Sequence, residues 1–213
     1  MRITVVYDNE ARKVGLKQGH GFSALIEDAG MPPLLFDTGA DGPALLHNMR
    51  ELNIDPQDIS TIVISHAHGD HTGGLSEILA INRIAELYLP GSFKKAFPGR
   101  QVTAVKDPAR IHENVYSTGE IEGVEQSLAL KTGKGIFVLT ACAHPGIERI
   151  LATAAEFGGL YGIAGGFHGF HNLEAFRGLS LICPCHCTTY KQEIIDLFKD
   201  RTSGCGAGLV IEL

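Results

Sequence analysis

Six consecutive residues, His66-Ala67-His68-Gly69-Asp70-His71, follow directly on the β-branched run Thr61-Ile62-Val63-Ile64-Ser65. The run reads as a strand, and Thr72-Gly73-Gly74-Leu75 begins a helix after it. In extended chain, side chains two apart point to the same side, so His66 and His68 can grip one metal ion. Asp70 and His71 fall at the helix start and face a second position. A cluster this dense rarely serves packing, and its imidazole–carboxylate mixture suits zinc, with iron or manganese as alternatives.

The chain of 213 residues has room for one full core, and residues 1–213 read as a single domain. A 44% hydrophobic fraction is that of a soluble globular protein. No apolar run approaches a membrane span, and Ile3, Val5 and Tyr7 open the chain in strand pattern with no signal segment. Cytoplasm is the expected location, with no membrane partner. The net charge is −6 and no basic block exceeds Lys94-Lys95, which argues against a nucleic-acid partner. Five cysteines, three of them in Cys183-Pro184-Cys185-His186-Cys187, read as free thiols in a reducing compartment rather than a disulfide framework. A separate structural zinc or an iron–sulfur cluster at those three is disfavoured.

Period-2 and apolar stretches predict strands at Ile3–Tyr7, Phe22–Ile26, Leu34–Phe36, Thr61–Ser65, Leu87–Leu89 and Val102–Val105. Helices are expected over Pro43–Leu52 and Leu75–Arg83, and a helical turn over Ser92–Phe97. In the second half, Val124–Leu130 and Ile136–Thr140 read as a hairpin about Lys131-Thr132-Gly133-Lys134-Gly135. Helix Ile147–Phe157, strands Leu160–Ala164 and Leu179–Cys183, helix Thr189–Lys199 and strand Gly208–Glu212 complete the pattern. Two strand-rich halves with appended helices, and no linker between them, predict two sheets packed face to face with helices outside.

Three later histidines recur just past the carboxyl end of a predicted strand: His144, His168 and His186. Loops aimed by rigid strands gather ligands on one sheet edge, so these histidines can converge with the first cluster. Neighbouring glycines (Gly69, Gly146, Gly165-Gly166) let backbone approach closely. His112 and His171 read as surface loop residues.

His66-Ala67-His68-Gly69-Asp70-His71 resembles the signature of the metallo-β-lactamase superfamily, and the resemblance extends over the whole chain. Leu46-His47-Asn48, Thr140-Ala141-Cys142-Ala143-His144-Pro145-Gly146-Ile147, Gly165-Gly166-Phe167-His168, Cys185-His186-Cys187-Thr188 and His20-Gly21-Phe22-Ser23 are similar to its dihydropterin–ribofuranosylaminobenzene phosphate synthase-like group. Thr189 stands where that group has glycine. The resemblance implies an α/β (α+β) fold, a four-layer αββα sandwich with a metal site at the sheet edge. It implies one metal on His66, His68 and His144, a second on Asp70, His71 and His186, and Asp37 as a buried structural group. Most superfamily members bridge the metals with an aspartate between the last two histidines. Here no Asp occurs from Pro145 to Tyr190, and His168 takes its place. Neutral imidazole offers one lone pair and cannot bridge, so His168 is expected to bind a single metal or to hydrogen-bond the nucleophile.

The expected cofactor is zinc, one or two ions. The expected activity is a metal-dependent hydrolase using metal-activated hydroxide on a small molecule, phosphate-bearing or pterin-like, with Asp70 and His168 as catalytic groups. Alternatives are a synthase like the group's namesake, condensing with loss of pyrophosphate; a di-iron redox protein, whose iron site usually has Glu where His68 stands; and a metal-binding protein without catalysis. His20 and His47 are candidate substrate contacts, with a capping or core role as the alternative for His47. Cys142, Cys185 and Cys187 are expected to pack beneath the site as small apolar side chains.

Overall fold

The computed structural model describes residues 1–213 as two sheets flanked by helices. The first sheet contains β1 (Arg2–Tyr7), β2 (Ser23–Asp28), β3 (Met31–Phe36), β4 (Thr61–Val63), β5 (Glu86–Pro90), β6 (Val102–Val105) and, at its far edge, β13 (Val210–Glu212). The second contains β7 (Ala109–His112), β8 (Val115–Ser117), β9 (Leu128–Thr132), β10 (Gly135–Leu139), β11 (Leu160–Gly166) and β12 (Leu181–Cys185). Their orders are β13-β1-β2-β3-β4-β5-β6 and β12-β11-β10-β9-β8-β7. The helices are α1 (Gly42–Glu51), α2 (Gly69–Thr72), α3 (Leu75–Ile81), α4 (Ile147–Ala154) and α5 (Lys191–Leu197).

Alternation along the strands builds four layers. Ala24 and Ile26 of β2, Leu34 and Phe36 of β3, Phe137 and Leu139 of β10 and Leu128 and Leu130 of β9 meet in one core between the sheets. Their neighbours point the other way. Leu25, Leu35 and Ile62 pack under Leu45 and Met49 of α1 and Leu75 and Ile78 of α3. Ala129, Val138 and Ile163 pack under Ile147, Ile150, Leu151 and Ala154 of α4. The period of two thus assigns each strand residue to one of two cores. Asp41 caps α1 by accepting from the Ala44 amide at 2.7 Å, with Pro43 in the first turn.

Each sheet is part antiparallel and part parallel. β3, β4, β5 and β6 run parallel in the first, and β10, β11 and β12 in the second. Phe36 lies level with Val63, and Leu139 with Ala164, which lies level with Cys183. The loops that leave these strands therefore emerge at one edge, and they carry the histidine-rich segments.

Several boundaries differ from expectation. The hairpin strand begins at Leu128 rather than Val124, and its turn is Gly133-Lys134, because Val124–Ser127 crosses beneath the site instead of pairing with β10. Ser92–Phe97 forms no helix; prolines at 90 and 98 and glycines at 91 and 99 leave only a turn closed from Phe93 N–H to the Pro90 carbonyl. The short strands β7 and β8 escape the sequence pattern, and His112 lies on β7, with its Nε2 3.0 Å from the Thr61 hydroxyl. No helix is long and apolar enough to cross a membrane.

The cysteine reading needs correction as well. Cys185 and Cys205 form a disulfide with Cα atoms 5.1 Å apart, while Cys142, Cys183 and Cys187 remain free. Spacing could not reveal the pair, because Cys205 arrives in the loop before β13, folded back onto β12. The bridge ties the end of the second sheet to the segment that closes the first. Replacing Cys205→Ser should lower the unfolding free energy by about 3 kcal/mol, the chain-entropy value for a loop of this length. Denaturant melts with and without reductant check this, since reductant should shift the wild-type midpoint and leave the variant's unmoved.

Candidate metal centre

Asp37 follows β3 and is fully buried in left-handed backbone (φ +56°). Its Oδ1 accepts the Ser65 amide at 2.7 Å, and its Oδ2 accepts both the Ser65 hydroxyl and His71 Nδ1–H at 2.7 Å. Ser65 Oγ lies 2.9 Å from His66 Nδ1 and, with its own proton given to Asp37, accepts from that ring. One carboxylate thereby fixes two imidazoles, and the Nε2 of each turns inward. His66 Nε2 meets His68 Nδ1 at 3.0 Å, and His71 Nε2 lies 3.5 Å from Asp70 Oδ2.

The second sheet repeats the device with Glu125, which sequence reasoning missed. Its buried carboxylate accepts the amides of Cys142 and Ala143 at 3.0 Å and of Ala141 at 3.3 Å through Oε1. Its Oε2 takes the His144 amide at 3.0 Å and His144 Nδ1–H at 2.8 Å. The loop after β10 is thus wrapped around one carboxylate. For His186, Nδ1 lies 2.8 Å from Asn9 Oδ1 and 3.2 Å from the Gly21 amide nitrogen, whose N–H also reaches Asn9 Oδ1 at 3.2 Å, and the His186 amide donates to Asp8 Oδ2 at 2.9 Å. Asp8 and Asn9 were also missed, since single polar residues after β1 carry no periodic or motif signal.

The result is a ring-to-ring cluster. His66 lies 4.5 Å from His68, 4.3 Å from His71 and 4.7 Å from His144 between ring centroids, and His71 lies 5.1 Å from His186. Asp70 Oδ2 stands 3.2 Å from both His186 Nε2 and His20 Nε2. Two groups of ligand atoms converge among these histidines, each within 4.8 Å: Asp70, His71, Cys142 and His186 form one, and His66, Cys142 and His144 the other, while a third set, Cys183 with Cys185 and Cys205, contains the disulfide pair. Cys142 is buried with its Sγ 3.2 Å from His71 Nε2, so it faces the cluster rather than packing beneath it.

His168 stands at the rim, exposed, its ring 5.3 Å from His144 and its backbone left-handed (φ +46°). A cleft of about 360 Å³ opens there, lined by His144, Phe167, His168, Phe170 and His171 among others, so His171 is exposed yet faces the cleft. His47 is not brought to the cluster. Its Nε2 lies 2.8 Å from the Gly15 carbonyl and its Nδ1 3.0 Å from the Arg50 guanidinium, while neighbouring Asn48 pegs α1 to the Val6 carbonyl. His20 does reach it, largely exposed beside His186.

Burial, then the charge of His71, pushes His66 and His186 down to about 3, so both keep a free lone pair at neutral pH. Burial opposes charge on His71 too, but Asp37 and Asp70 outweigh it and raise that imidazole to about 10. The Asp70 carboxyl is held well below the usual range, first by its hydrogen bond to His71. Asp8 is pushed up to about 6 by burial. Burial also works against the Glu125 charge, yet His144, His66 and the loop amides hold its carboxyl down to about 2.

A family model for the metallo-beta-lactamase superfamily matches residues 16–155. The chain is 29% identical to 7,8-dihydropterin-6-methyl-4-(beta-D-ribofuranosyl)-aminobenzene-5'-phosphate synthase of Methanocaldococcus jannaschii, over 91% of this chain and 90% of that protein. It superposes on the crystal structure of Tm1679, a metal-dependent hydrolase of the beta-lactamase superfamily, with a TM-score of 0.78 and 29% identity over 100% of this chain and 99% of that one. The metallo-beta-lactamase fold protein YhfI of Bacillus subtilis gives a TM-score of 0.70 at 13% identity, covering 99% of each chain, a likeness of fold alone. Both the four-layer expectation and the resemblance read from the sequence agree with these matches.

Glu125 also sets a pH dependence. Its carboxyl lies below the unfolded value of 4.5, so its stabilising contribution is complete above that pH and is lost as pH falls toward 2. Urea melts between pH 6 and pH 3 should show a steeper acid loss for wild type than for Glu125→Gln, which lacks the ionisation.

Proposed function

The chain belongs to the metallo-beta-lactamase superfamily, and on that footing we propose that it is a metal-dependent hydrolase of a small, phosphate-bearing substrate. One observation carries the reading: His66, His71, His144 and His186 each spend Nδ1 on a protein acceptor and turn Nε2 toward a common centre. Metal-binding imidazoles are oriented in this way by an outer acceptor, and a packed core has no use for converging ring nitrogens. His66, His68 and His144 would hold one ion, and Asp70, His71 and His186 a second. Nitrogen donors with one carboxylate suit zinc, and they also admit manganese or iron.

Divalent ions there supply water whose pKa is lowered from about 15.7 to near 7, and positive charge for a developing anion. Asp70 keeps Oδ2 toward His20, His71 and His186, which would leave Oδ1 to orient the attacking water by accepting its hydrogen bond. His168, at the rim, hydrogen-bonds the substrate or the nucleophile. Phe167 and Phe170 give the cleft an apolar wall, and about 360 Å³ suits a small molecule.

A second reading is a synthase in which the ions hold a pyrophosphate leaving group and an organic acceptor replaces water. The 29% identity to the Methanocaldococcus jannaschii synthase over nine-tenths of both chains favours it.

Elemental analysis of purified protein should find divalent transition metal, and chelator should remove metal and activity together. On a panel of phosphodiesters, thioesters, lactones and pyrophosphate esters, His68→Ala should lose metal and at least about 100-fold in rate, the scale for a group acting directly in the chemistry. His47→Ala should change neither. Pyrophosphate release that requires an added organic acceptor would favour the synthase. A protein that neither carries nor takes up metal, or equal effects of the two substitutions, would overturn the assignment.

A further inference from the structure

Cys142 is the one donor common to both groups of converging ligand atoms: its Sγ lies within 4.8 Å of the ligand atoms of Asp70, His71 and His186 and of those of His66 and His144. We propose that the Cys142 thiolate bridges the two metal positions, in the role left open by the missing aspartate between Pro145 and Tyr190. The inference rests on the metal-centre reading above and deepens it.

Two features single out this thiol. Its backbone is fixed, since the Cys142 amide donates to Glu125 Oε1 at 3.0 Å and the next residue, Ala143, turns left-handed at φ +58°. That turn at the end of β10 aims Sγ into the centre, 3.2 Å from His71 Nε2. Next, thiolate sulfur carries several lone pairs and can serve two cations, whereas the exposed His168 ring offers one. Cys187 itself belongs to neither converging group and is half-buried.

The chemistry is ligand exchange without oxidation. The S–H bond breaks, the proton leaves to solvent, and sulfur lone pairs go to the cations.

Titrating metal-free protein with cobalt(II) under reducing, oxygen-free conditions tests this. Wild type should develop strong near-ultraviolet sulfur-to-cobalt charge-transfer absorption that keeps growing through the second equivalent. Cys142→Ser should lose that absorption, and Cys187→Ser should keep it. Cys142→Asp should bind two equivalents without it, as an oxygen bridge would. Cys142→Ala should weaken the second equivalent beyond the roughly 10–100-fold cost of losing an outer-shell partner. Two cobalt ions bound by wild type with no sulfur absorption would overturn the bridge and leave the metal centre standing. So would absorption that survives Cys142→Ser and disappears in Cys187→Ser. No cobalt uptake at all would overturn both.

Discussion

A buried carboxylate gripping an imidazole is the interaction on which this molecule turns. Asp37 and His71 have no solvent exposure, and burying such a pair costs more than a surface ion pair returns unless every remaining hydrogen-bonding position is filled. Asp37 meets that condition with the Ser65 amide, the Ser65 hydroxyl and His71 Nδ1–H. Glu125 meets it with three amides of the loop after β10, the His144 amide and the His144 ring. Each sheet therefore brings its own buried acid to one face of the cluster, and the apolar core between the sheets fixes the two acids relative to each other.

Parallel pairing explains why the cluster forms where it does. In a parallel ladder all strands end on the same side, so residues that follow β3, β4, β10, β11 and β12 emerge together. Getting from a strand end into a ligand position within one or two residues demands unusual backbone. Asp37, Ala143, His168 and His186 are four of the six non-glycine residues with positive φ. Strain of this kind costs of order 1–3 kcal/mol per residue and persists where surrounding bonds over-determine the conformation. The carboxylate braces supply those bonds at Ala143, and the Asp8 and Asn9 contacts supply them at His186.

Much of this was legible in the sequence, for identifiable reasons. Alternation in Phe22–Ile26 and Ile136–Thr140 survives into the structure because each strand is buried on two faces by different layers. The six-residue cluster announced itself because several donors in one short stretch have no other economical use. Glu125 could not be seen: it looks like one more acid in Ile121-Glu122-Gly123-Val124-Glu125-Gln126, and its value comes from a loop that arrives later in the chain. His47 misled in the opposite direction, because it sits beside Asn48, whose buried amide is the true anchor of α1. The disulfide was hidden for a similar reason, its second cysteine lying in an irregular loop far from the cysteine-rich segment.

Charge is the property for which the sequence total is the poorest guide. The chain carries −6 overall, and that figure counts Asp37, Asp70 and Glu125, whose charges are turned inward onto imidazoles. Two divalent ions on the proposed ligands would bring four positive charges against Asp70 and one thiolate, since His66 and His186 remain neutral donors. The inner face of the cleft would then carry about two positive units, which Asp37 and Glu125 behind the imidazoles offset to about zero, so any field in the cleft depends on the ions standing nearer to it than those two carboxylates. On the proposed function, an anionic small molecule would meet that inner face even in an acidic protein. A long polyanion would meet the acidic exterior first.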